Sequence, residues 1–293
     1  MATPAQWLEG ARPRTLPAAV APVFAGTGVA VHFDQAVWWK AALALLVALA
    51  LQVAVNYAND YSDGIRGTDE DRVGPLRLVG SRAAAPGAVK AAAFAGFAVA
   101  AVAGLVLAVT TSWWLVAVGL VCMVAAWFYT GGSKPYGYHA LGEVMVFVFF
   151  GLVAVMGTTY VQTSSMTGPA VLPSLYAGIG VGALACAILV ANNLRDIPTD
   201  RQTGKRTLAV VLGDERTRAL YVFLVVGAVI ALVALAFSTS LTALGGLVFA
   251  VAAVPAVRQV LTGTTGRDLV PVLQRTGLAE LLYAVGIFLG LLL

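Results

Sequence analysis

The sequence predicts an all-α, polytopic membrane protein with nine transmembrane helices, forming one domain over residues 1–293. Of its 293 residues, 60% are hydrophobic and only 11% are charged, whereas a soluble domain carries about 25% charged residues. The mean hydropathy of +0.87 means more apolar surface than a protein core can bury, but lipid can accept it. The apolar residues form separate runs near the length of roughly 20 residues that crosses a bilayer.

The runs follow one another without a low-complexity linker, which is why we expect one domain. Several are rich in Gly and Ala, and such residues let helices pack closely in lipid. The nine predicted spans lie near residues 15–33, 38–59, 87–110, 113–130, 141–162, 171–194, 217–237, 240–257 and 277–293.

The basic residues predict the orientation of these spans. Among the 18 Lys and Arg residues, only Lys40 falls in a loop on the outer side. Because cytoplasmic loops carry an excess of Lys and Arg, we expect a multi-pass protein of the inner (cytoplasmic) membrane. Its N-terminus would be cytoplasmic and its C-terminus outside. The acidic residues follow the same partition, with only Asp34 outside, so we expect the active site to open to the cytoplasmic side.

A polar cluster ends the second span, in the stretch VNYANDYSDG at residues 55–64. On a helix, positions i, i+4 and i+7 share one face. Asn56, Asp60 and Asp63 are therefore predicted to form a polar stripe at the cytoplasmic end of this span. Asn59 lies off that face and is left out of the predicted site.

A second cluster, NNLRDIPTD at residues 192–200, ends the sixth span. Asn192, Asp196 and Asp200 repeat the Asn-to-Asp spacing of the first cluster, and an even number of spans separates the two. We therefore expect an internal repeat with parallel halves and both clusters at the same membrane face. Pro198 disfavours helix for the residue before it, so the helix is expected to kink or end near Asp196, with Asp200 on the following loop.

The four carboxylates, Asp60, Asp63, Asp196 and Asp200, predict a magnesium site. Carboxylates without His or Cys are hard oxygen ligands, which suit Mg²⁺ bound together with substrate phosphates. Cations close to the clusters suit a diphosphate: Arg66, Arg72, Arg77, Arg195, Arg201, Lys205 and Arg206.

A substrate with a diphosphate head and a long apolar tail would fit this arrangement, with its head at the cytoplasmic face and its tail in the bilayer. A polyprenyl diphosphate has this form. The Gly-rich stretch GGSKP at 131–135 lacks the spacing of a phosphate-binding loop, and we expect no nucleic-acid partner.

At these residues the sequence resembles the UbiA superfamily of intramembrane prenyltransferases, whose motifs have the form N-x-x-x-D and D-x-x-x-D. The branch that prenylates 1,4-dihydroxy-2-naphthoate is the most similar. Four further stretches carry that similarity: ARPRTLPAAVAPVFAGT (11–27), DRVGPLRLV (71–79), YTGGSKPYGYHALGE (129–143) and NNLRDIPTDRQTGKRTLAV (192–210).

The resemblance implies nine helices around a central cavity, with cytoplasmic cap loops over the diphosphate site. It implies Mg²⁺-dependent transfer of a polyprenyl group to 1,4-dihydroxy-2-naphthoate with loss of CO₂ and diphosphate, giving demethylmenaquinol for menaquinone. Loss of diphosphate would leave an allylic cation or a similar transition state, which the electron-rich ring attacks. It also implies that Asp60 and Asp63 hold Mg²⁺ opposite Asp196 and Asp200, with Asn56 and Asn192 assisting as ligands or through hydrogen bonds to ligands. Substrate-binding candidates are Asn56, Asn192, Arg66, Arg72, Arg77, Tyr129, Lys134, Arg195 and Lys205.

Other interpretations stay open at this point. A related prenyltransferase acting on 4-hydroxybenzoate, haem or chlorophyllide would share the Asp motifs. A secondary transporter would instead need ionisable residues near the middle of the bilayer, whereas these acids gather at one edge. Glu143 is expected either to interact with a helix dipole in a first turn or to orient a base of the site.

Overall fold

The computed structural model describes residues 2–67 and 76–293. Arg72, one of the predicted binding residues, lies outside this described part. Helices account for most of it: α1 (Pro4–Gly10), α2 (Leu16–His32), α3 (Trp38–Arg66), α4 (Pro86–Thr110), α5 (Trp114–Phe128), α6 (Gly142–Val146), α7 (Ala154–Thr163), α8 (Val171–Gln202), α9 (Leu208–Leu212), α10 (Asp214–Ser238), α11 (Ala250–Leu261) and α12 (Val270–Leu292). A π-helical segment, Phe147–Val153, joins α6 to α7, and 3₁₀ segments precede α2, α6, α11 and α12.

Eight helical stretches in the described residues are long and apolar enough to cross a bilayer. They are Pro4–His32, Trp38–Arg66, Pro86–Thr110, Gly142–Thr163, Val171–Gln202, Asp214–Ser238, Leu241–Leu261 and Gly266–Leu292. Together with the shorter apolar helix α5 they match the nine predicted spans in order. The predicted fold class, an all-α polytopic membrane protein, is confirmed.

Helix α5 crosses the same layer although it has only 15 residues, or about 22 Å of helix. Just before α5, the Thr110 carbonyl accepts a hydrogen bond from Lys40 near the start of α3, at 3.1 Å. Just after α5, the Thr130 hydroxyl donates to the Asn59 Oδ1 atom near the end of α3, at 2.7 Å. Helix α5 therefore runs between the two ends of α3 and is the ninth crossing within the described residues.

Helix α8 lies at the centre of the protein. In the most apolar 18-residue stretch of α8, 72% of the residues are buried, compared with 33% in the corresponding stretch of α3. Small residues let the π-helical segment approach α8 closely, since a Cβ added to Gly151 would lie 2.6 Å from the Gly182 Cα atom. Any larger residue at position 151 would push the two backbones apart. π-helical segments are frequent at functional sites, and this one lines the cavity described below.

The predicted helix end near Asp196 and the predicted position of Asp200 on a loop are both wrong. The helix continues through Pro198 to Gln202, so Asp200 is a helical residue. The proline removes the backbone donor that would pair with the Leu194 carbonyl, while side-chain hydroxyls bind other carbonyls in the last turns of the helix. Here the Thr199 hydroxyl donates to the Asp196 carbonyl at 3.0 Å, and the Thr203 hydroxyl donates to the Thr199 carbonyl at 3.1 Å.

Candidate active site

A cavity of about 660 Å³ opens between the helices and has two chemically different ends. At one end its walls are apolar, with Val23, Ala44 and Leu107 from α2, α3 and α4. At the other end α3 and α8 contribute the polar clusters that the sequence singled out. A molecule with a charged head and an apolar tail matches this division.

The wall formed by α3 carries Gln52, Asn56, Asn59 and Asp63, but Asp60 is not part of the lining. Successive helical residues are rotated by about 100°, so Asn59 and Asp60 lie on opposite sides of the line through Asn56 and Asp63. The predicted stripe took the Asp60 side, whereas the cavity lies on the Asn59 side. Periodicity allows both, which is why the sequence could not separate them.

Asp60 instead binds the described segment before α4, at Leu78 and Val79. Its Oδ2 atom accepts a hydrogen bond from the Leu78 amide at 2.7 Å, and its Oδ1 atom accepts one from the Val79 amide at 3.0 Å. The residue is 1% exposed. Arg77, the residue before Leu78, lines the cavity, and its guanidinium lies 3.4 Å from the Asp63 carboxylate. Asp60 therefore helps to place Arg77 beside Asp63.

The wall formed by α8 carries Asn192, Asn193, Asp196, Thr199 and Asp200 at helical spacing. The guanidinium of Arg195 donates to both carboxylate oxygens of Asp196, at 2.6 and 2.7 Å, and to the Asn192 Oδ1 atom at 2.8 Å. The Asn192 amide also reaches Asp196, at 3.4 Å. Arg195 itself is not part of the lining, so it acts on the cavity through Asp196 and Asn192.

Lys205 connects the two clusters. Its backbone amide donates to the Asp200 carbonyl at 2.9 Å, while its ammonium group lies 3.9 Å from the Asp63 carboxylate. The same ammonium group lies 4.6 Å from the centre of the Tyr138 ring, and the Tyr138 hydroxyl donates to Asp63. Asp63 and Asp200 therefore face one polar end of one cavity, as the two-cluster hypothesis requires.

Two loops cover this polar end. Arg206 donates its backbone amide to the Tyr138 carbonyl at 3.1 Å, which links the loop after α8 to the loop between α5 and α6. Tyr129 and Tyr136 from the second loop line the cavity, with their ring centres 5.5 Å apart. The arrangement agrees with the cap loops implied by the family resemblance.

The remaining predicted residues lie farther from the cavity lining. Arg66 is exposed, and its guanidinium donates to the carbonyls of Thr130 and Gly132. Lys134 is exposed as well, and neither side chain lines the cavity. Arg66 therefore braces the loop after α5, and Lys134 lies on the surface of that same loop.

Several cavity residues were not predicted from the sequence. Asn59 and Asn193 both adjoin a predicted residue, and Tyr138 lies within the quoted stretch YTGGSKPYGYHALGE. Helical spacing could have identified the two asparagines, because Asn59 follows Gln52 by seven residues and Asn193 precedes Asp196 by three. Nothing local marks Tyr138, because its contact with Asp63 depends on how the loop folds back.

The polar end fits Mg²⁺ by the chemistry of its donors. Asp63, Asp196 and Asp200 supply carboxylate oxygens and Asn59 supplies an amide oxygen, all hard ligands. In the described part of the chain, however, no three acidic, His or Cys side chains lie close enough to hold an ion by themselves. A bound Mg²⁺ ion would take further ligands from water and from substrate phosphates, as this ion usually does.

The sequence profile of the UbiA prenyltransferase family matches residues 19–272, which is most of the chain. The chain belongs to the UbiA prenyltransferase family. One UbiA relative, the 1,4-dihydroxy-2-naphthoate octaprenyltransferase of Mycobacterium tuberculosis (strain ATCC 25618 / H37Rv), is 56% identical, over 98% of this chain and 97% of its own length. The Escherichia coli (strain K12) protein of the same name is 39% identical, over 97% and 95%.

Solved UbiA structures share the fold. The apo structure of a UbiA homologue from Aeropyrum pernix K1 matches with a TM-score of 0.74 at 16% identity, covering 93% of this chain and 97% of the other. A homologue from Archaeoglobus fulgidus, solved with GPP and Mg²⁺, matches with a TM-score of 0.67 at 14% identity, covering 98% and 99%. The family predicted from the two Asp clusters is confirmed.

Proposed function

We propose that this UbiA prenyltransferase transfers a polyprenyl group from polyprenyl diphosphate to 1,4-dihydroxy-2-naphthoate, with loss of CO₂ and diphosphate, giving demethylmenaquinol. The observation that carries the proposal is a cavity that has carboxylates and cations at one end and apolar walls at the other. The acceptor follows from 56% identity over nearly the whole chain to a protein named for that substrate.

In this proposal Asp63, Asp196 and Asp200, with Asn59, hold Mg²⁺ and the diphosphate between α3 and α8. Three further polar side chains keep the residues of this end in place, namely Asp60, Asn192 and Asn56. Asn56 donates to the Ala11 carbonyl at 2.9 Å and to the Thr15 hydroxyl at 3.0 Å. When bound, Mg²⁺ neutralises the negative charge that develops on the departing diphosphate. Lys205 and Arg77 add fixed positive charge to the same end.

The apolar part of the cavity holds the prenyl chain and keeps water away from the allylic cation that forms as diphosphate leaves. The electron-rich ring of the acceptor then attacks the terminal carbon of that chain, and the ring loses its carboxyl group as CO₂. For this order of events the acceptor must lie between the diphosphate and the apolar walls, beside Tyr129.

We also propose that the polar end faces the cytoplasm, with the N-terminus on that side and the C-terminus outside. The support is the distribution of Lys and Arg, of which only Lys40 belongs to the opposite end. Labelling of single introduced cysteines in intact cells, at residues near Lys134 and near Asp34, would test this. Reaction of the residue near Lys134 with a membrane-impermeant reagent in unbroken cells would contradict the orientation.

The activity is tested on the purified protein in detergent, with Mg²⁺, a polyprenyl diphosphate and a panel of aromatic acceptors. We expect the prenylated, decarboxylated product from 1,4-dihydroxy-2-naphthoate, detected by mass spectrometry, and no product in excess EDTA. 4-Hydroxybenzoate as the better acceptor would reject the proposed substrate, and full activity in EDTA would reject the metal.

A pair of matched variants separates the site from general effects of charge. Asp196 and Asp214 each accept two hydrogen bonds from a nearby arginine, Arg195 and Arg218 respectively, but only Asp196 lines the cavity. Asp196→Asn is expected to lower the turnover rate by a factor on the order of 10² or more. Asp214→Asn is expected to leave it unchanged, and an equal loss in both would contradict the assignment.

A further inference from the structure

A hydrogen-bonded pair, Asn193 and Glu143, lies at the cavity wall, closer to the apolar end than the Asp motifs. The Asn193 amide nitrogen donates to the Glu143 Oε1 atom at 2.9 Å, joining α8 to the first turn of α6. Glu143 is 7% exposed and Asn193 is 8% exposed. Asn193 lines the cavity, yet neither residue has a part in the mechanism above.

The hydrogen bond fixes which way the Asn193 amide points. An ionised carboxylate can only accept, whereas an asparagine amide has a donor end and an acceptor end. Glu143 therefore holds the NH₂ group and turns the Asn193 Oδ1 atom away from itself. Among the described residues, no side chain or backbone group donates to this oxygen. Asn193 thus offers the cavity a hydrogen-bond acceptor in a fixed orientation.

The position along the cavity suits an aromatic molecule. Asn193 precedes Asp196 by three residues, which is about 4.5 Å of helical rise towards the apolar end. Met145, Ile188 and Leu189 line the cavity nearby. The Tyr129 hydroxyl lies 3.6 Å from where a Cβ of Gly142 would be, next to Glu143. A ring placed here would have apolar and aromatic contacts and one polar neighbour.

We propose that Asn193, oriented by Glu143, accepts a hydrogen bond from a ring hydroxyl of the aromatic acceptor and so selects hydroxylated rings. This inference rests on the proposed function, because that function requires a ring within reach of the prenyl carbon next to the diphosphate. Both hydroxyl groups of 1,4-dihydroxy-2-naphthoate are donors of the required kind. Buried polar groups that lose their partner discriminate strongly against analogues that lack it.

A purely structural role for the pair makes different predictions, and the chain contains a matched control. Cys186 also joins α8 to α6, since its thiol donates to the Glu143 carbonyl at 3.0 Å, but Cys186 is not part of the cavity lining. Cys186→Ala therefore weakens the contact between the same two helices without changing the polar group that faces the cavity.

The experiment measures binding of three probes to the full chain in detergent by isothermal titration calorimetry. The probes are 2-naphthoate, 1-hydroxy-2-naphthoate and 4-hydroxy-2-naphthoate, which differ only in their hydroxyl groups. In the unaltered protein, we expect at least one hydroxylated probe to bind roughly tenfold tighter than 2-naphthoate, the ratio given by one buried hydrogen bond.

Asn193→Leu is expected to abolish this preference while leaving the affinity for 2-naphthoate unchanged. Glu143→Gln, which no longer fixes the amide, is expected to reduce the preference, and Cys186→Ala is expected to retain it. Glu143→Gln carries the test if Asn193→Leu does not fold. Persistence of the preference in Asn193→Leu and Glu143→Gln, or an equal loss of affinity for all three probes, would overturn the inference.

These outcomes are separate from failure of the proposed function. If the unaltered protein makes no product from 1,4-dihydroxy-2-naphthoate, the function is rejected whatever the probes show. If it makes the product but both variants keep the hydroxyl preference, only the role of Asn193 is rejected.

Discussion

The polar ends of α3 and α8 share a sequence pattern but use it differently. Each contains an Asn followed four residues later by an Asp, as Asn56 and Asp60 in α3 and as Asn192 and Asp196 in α8. In α8 that Asp lines the cavity and is held by Arg195. In α3 it turns to the backbone of Leu78 and Val79 instead.

The difference shows that spacing identifies a polar helix end but not the direction of each side chain. Helix α8 is packed on most of its surface, and its polar residues can avoid the core only by facing the cavity. At the end of helix α3, the backbone amides of Leu78 and Val79 lie within reach and need acceptors. Asp60 satisfies them, and Asp63 takes the position at the cavity.

The largest expected effect is on the turnover rate, when the two carboxylates of α3 are substituted in turn. Asp63→Asn is expected to lower the rate of product formation by a factor on the order of 10² to 10³, because its charge faces the developing charge of the reaction. Asp60→Asn is expected to lower it much less. Steady-state rates at saturating substrate test this, and equal loss in both folded variants would break the comparison.

The role of Asp60 in the loop is visible to hydrogen exchange. An asparagine has one acceptor oxygen where the carboxylate has two, so Asp60→Asn leaves one of the two loop amides without a partner. Exchange at Leu78 and Val79, followed by mass spectrometry, should become roughly tenfold faster or more. Asp63→Asn serves as the control and is expected to leave these amides protected. Unchanged exchange in Asp60→Asn would contradict the assigned role.

The cations near the two helix ends should also differ. Lys205 lines the cavity beside Asp63, and Lys205→Met is expected to raise KM for polyprenyl diphosphate about fivefold with little change in KM for the aromatic acceptor. Lys134→Met removes an exposed charge from the neighbouring loop, and we expect both constants to stay the same. A larger effect of Lys134→Met than of Lys205→Met would contradict this assignment and indicate that the diphosphate binds near the loop between α5 and α6.

The smallest expected effect is on stability, from substituting a buried acid that lies outside both motifs. Glu280 in α12 is fully buried, and within the described residues neither of its carboxyl oxygens has a hydrogen-bond partner. The motif acids, in contrast, all have partners. Glu280→Leu is therefore expected to raise the melting temperature by a few degrees, because leucine fills a similar volume and the unsatisfied carboxyl group is removed. A lower melting temperature or lost activity would show that Glu280 has a function.

The sequence predicted those features of the fold that depend on hydropathy. The nine spans were recognised because lipid requires long apolar runs, and the two helix ends were recognised because acids are costly there. The course of α8 through Pro198 was not predicted, because the proline disfavours helix locally while the packing of the rest of α8 keeps the chain helical. The sides taken by Asn59 and Asp60 depend on a loop whose amides need partners, and the contact between Tyr138 and Asp63 depends on how a distant loop folds back.

The central claim is that Asp63 and Asp196 belong to one metal–diphosphate site and that Asp60 lies outside it. The most direct test is the affinity of Mn²⁺, in place of Mg²⁺, for the protein saturated with a non-reactive polyprenyl diphosphate analogue, measured by electron paramagnetic resonance. We predict that Asp63→Asn and Asp196→Asn each weaken Mn²⁺ binding by about tenfold or more, whereas Asp60→Asn changes it by less than about threefold. Equal weakening by Asp60→Asn and Asp63→Asn would contradict the account.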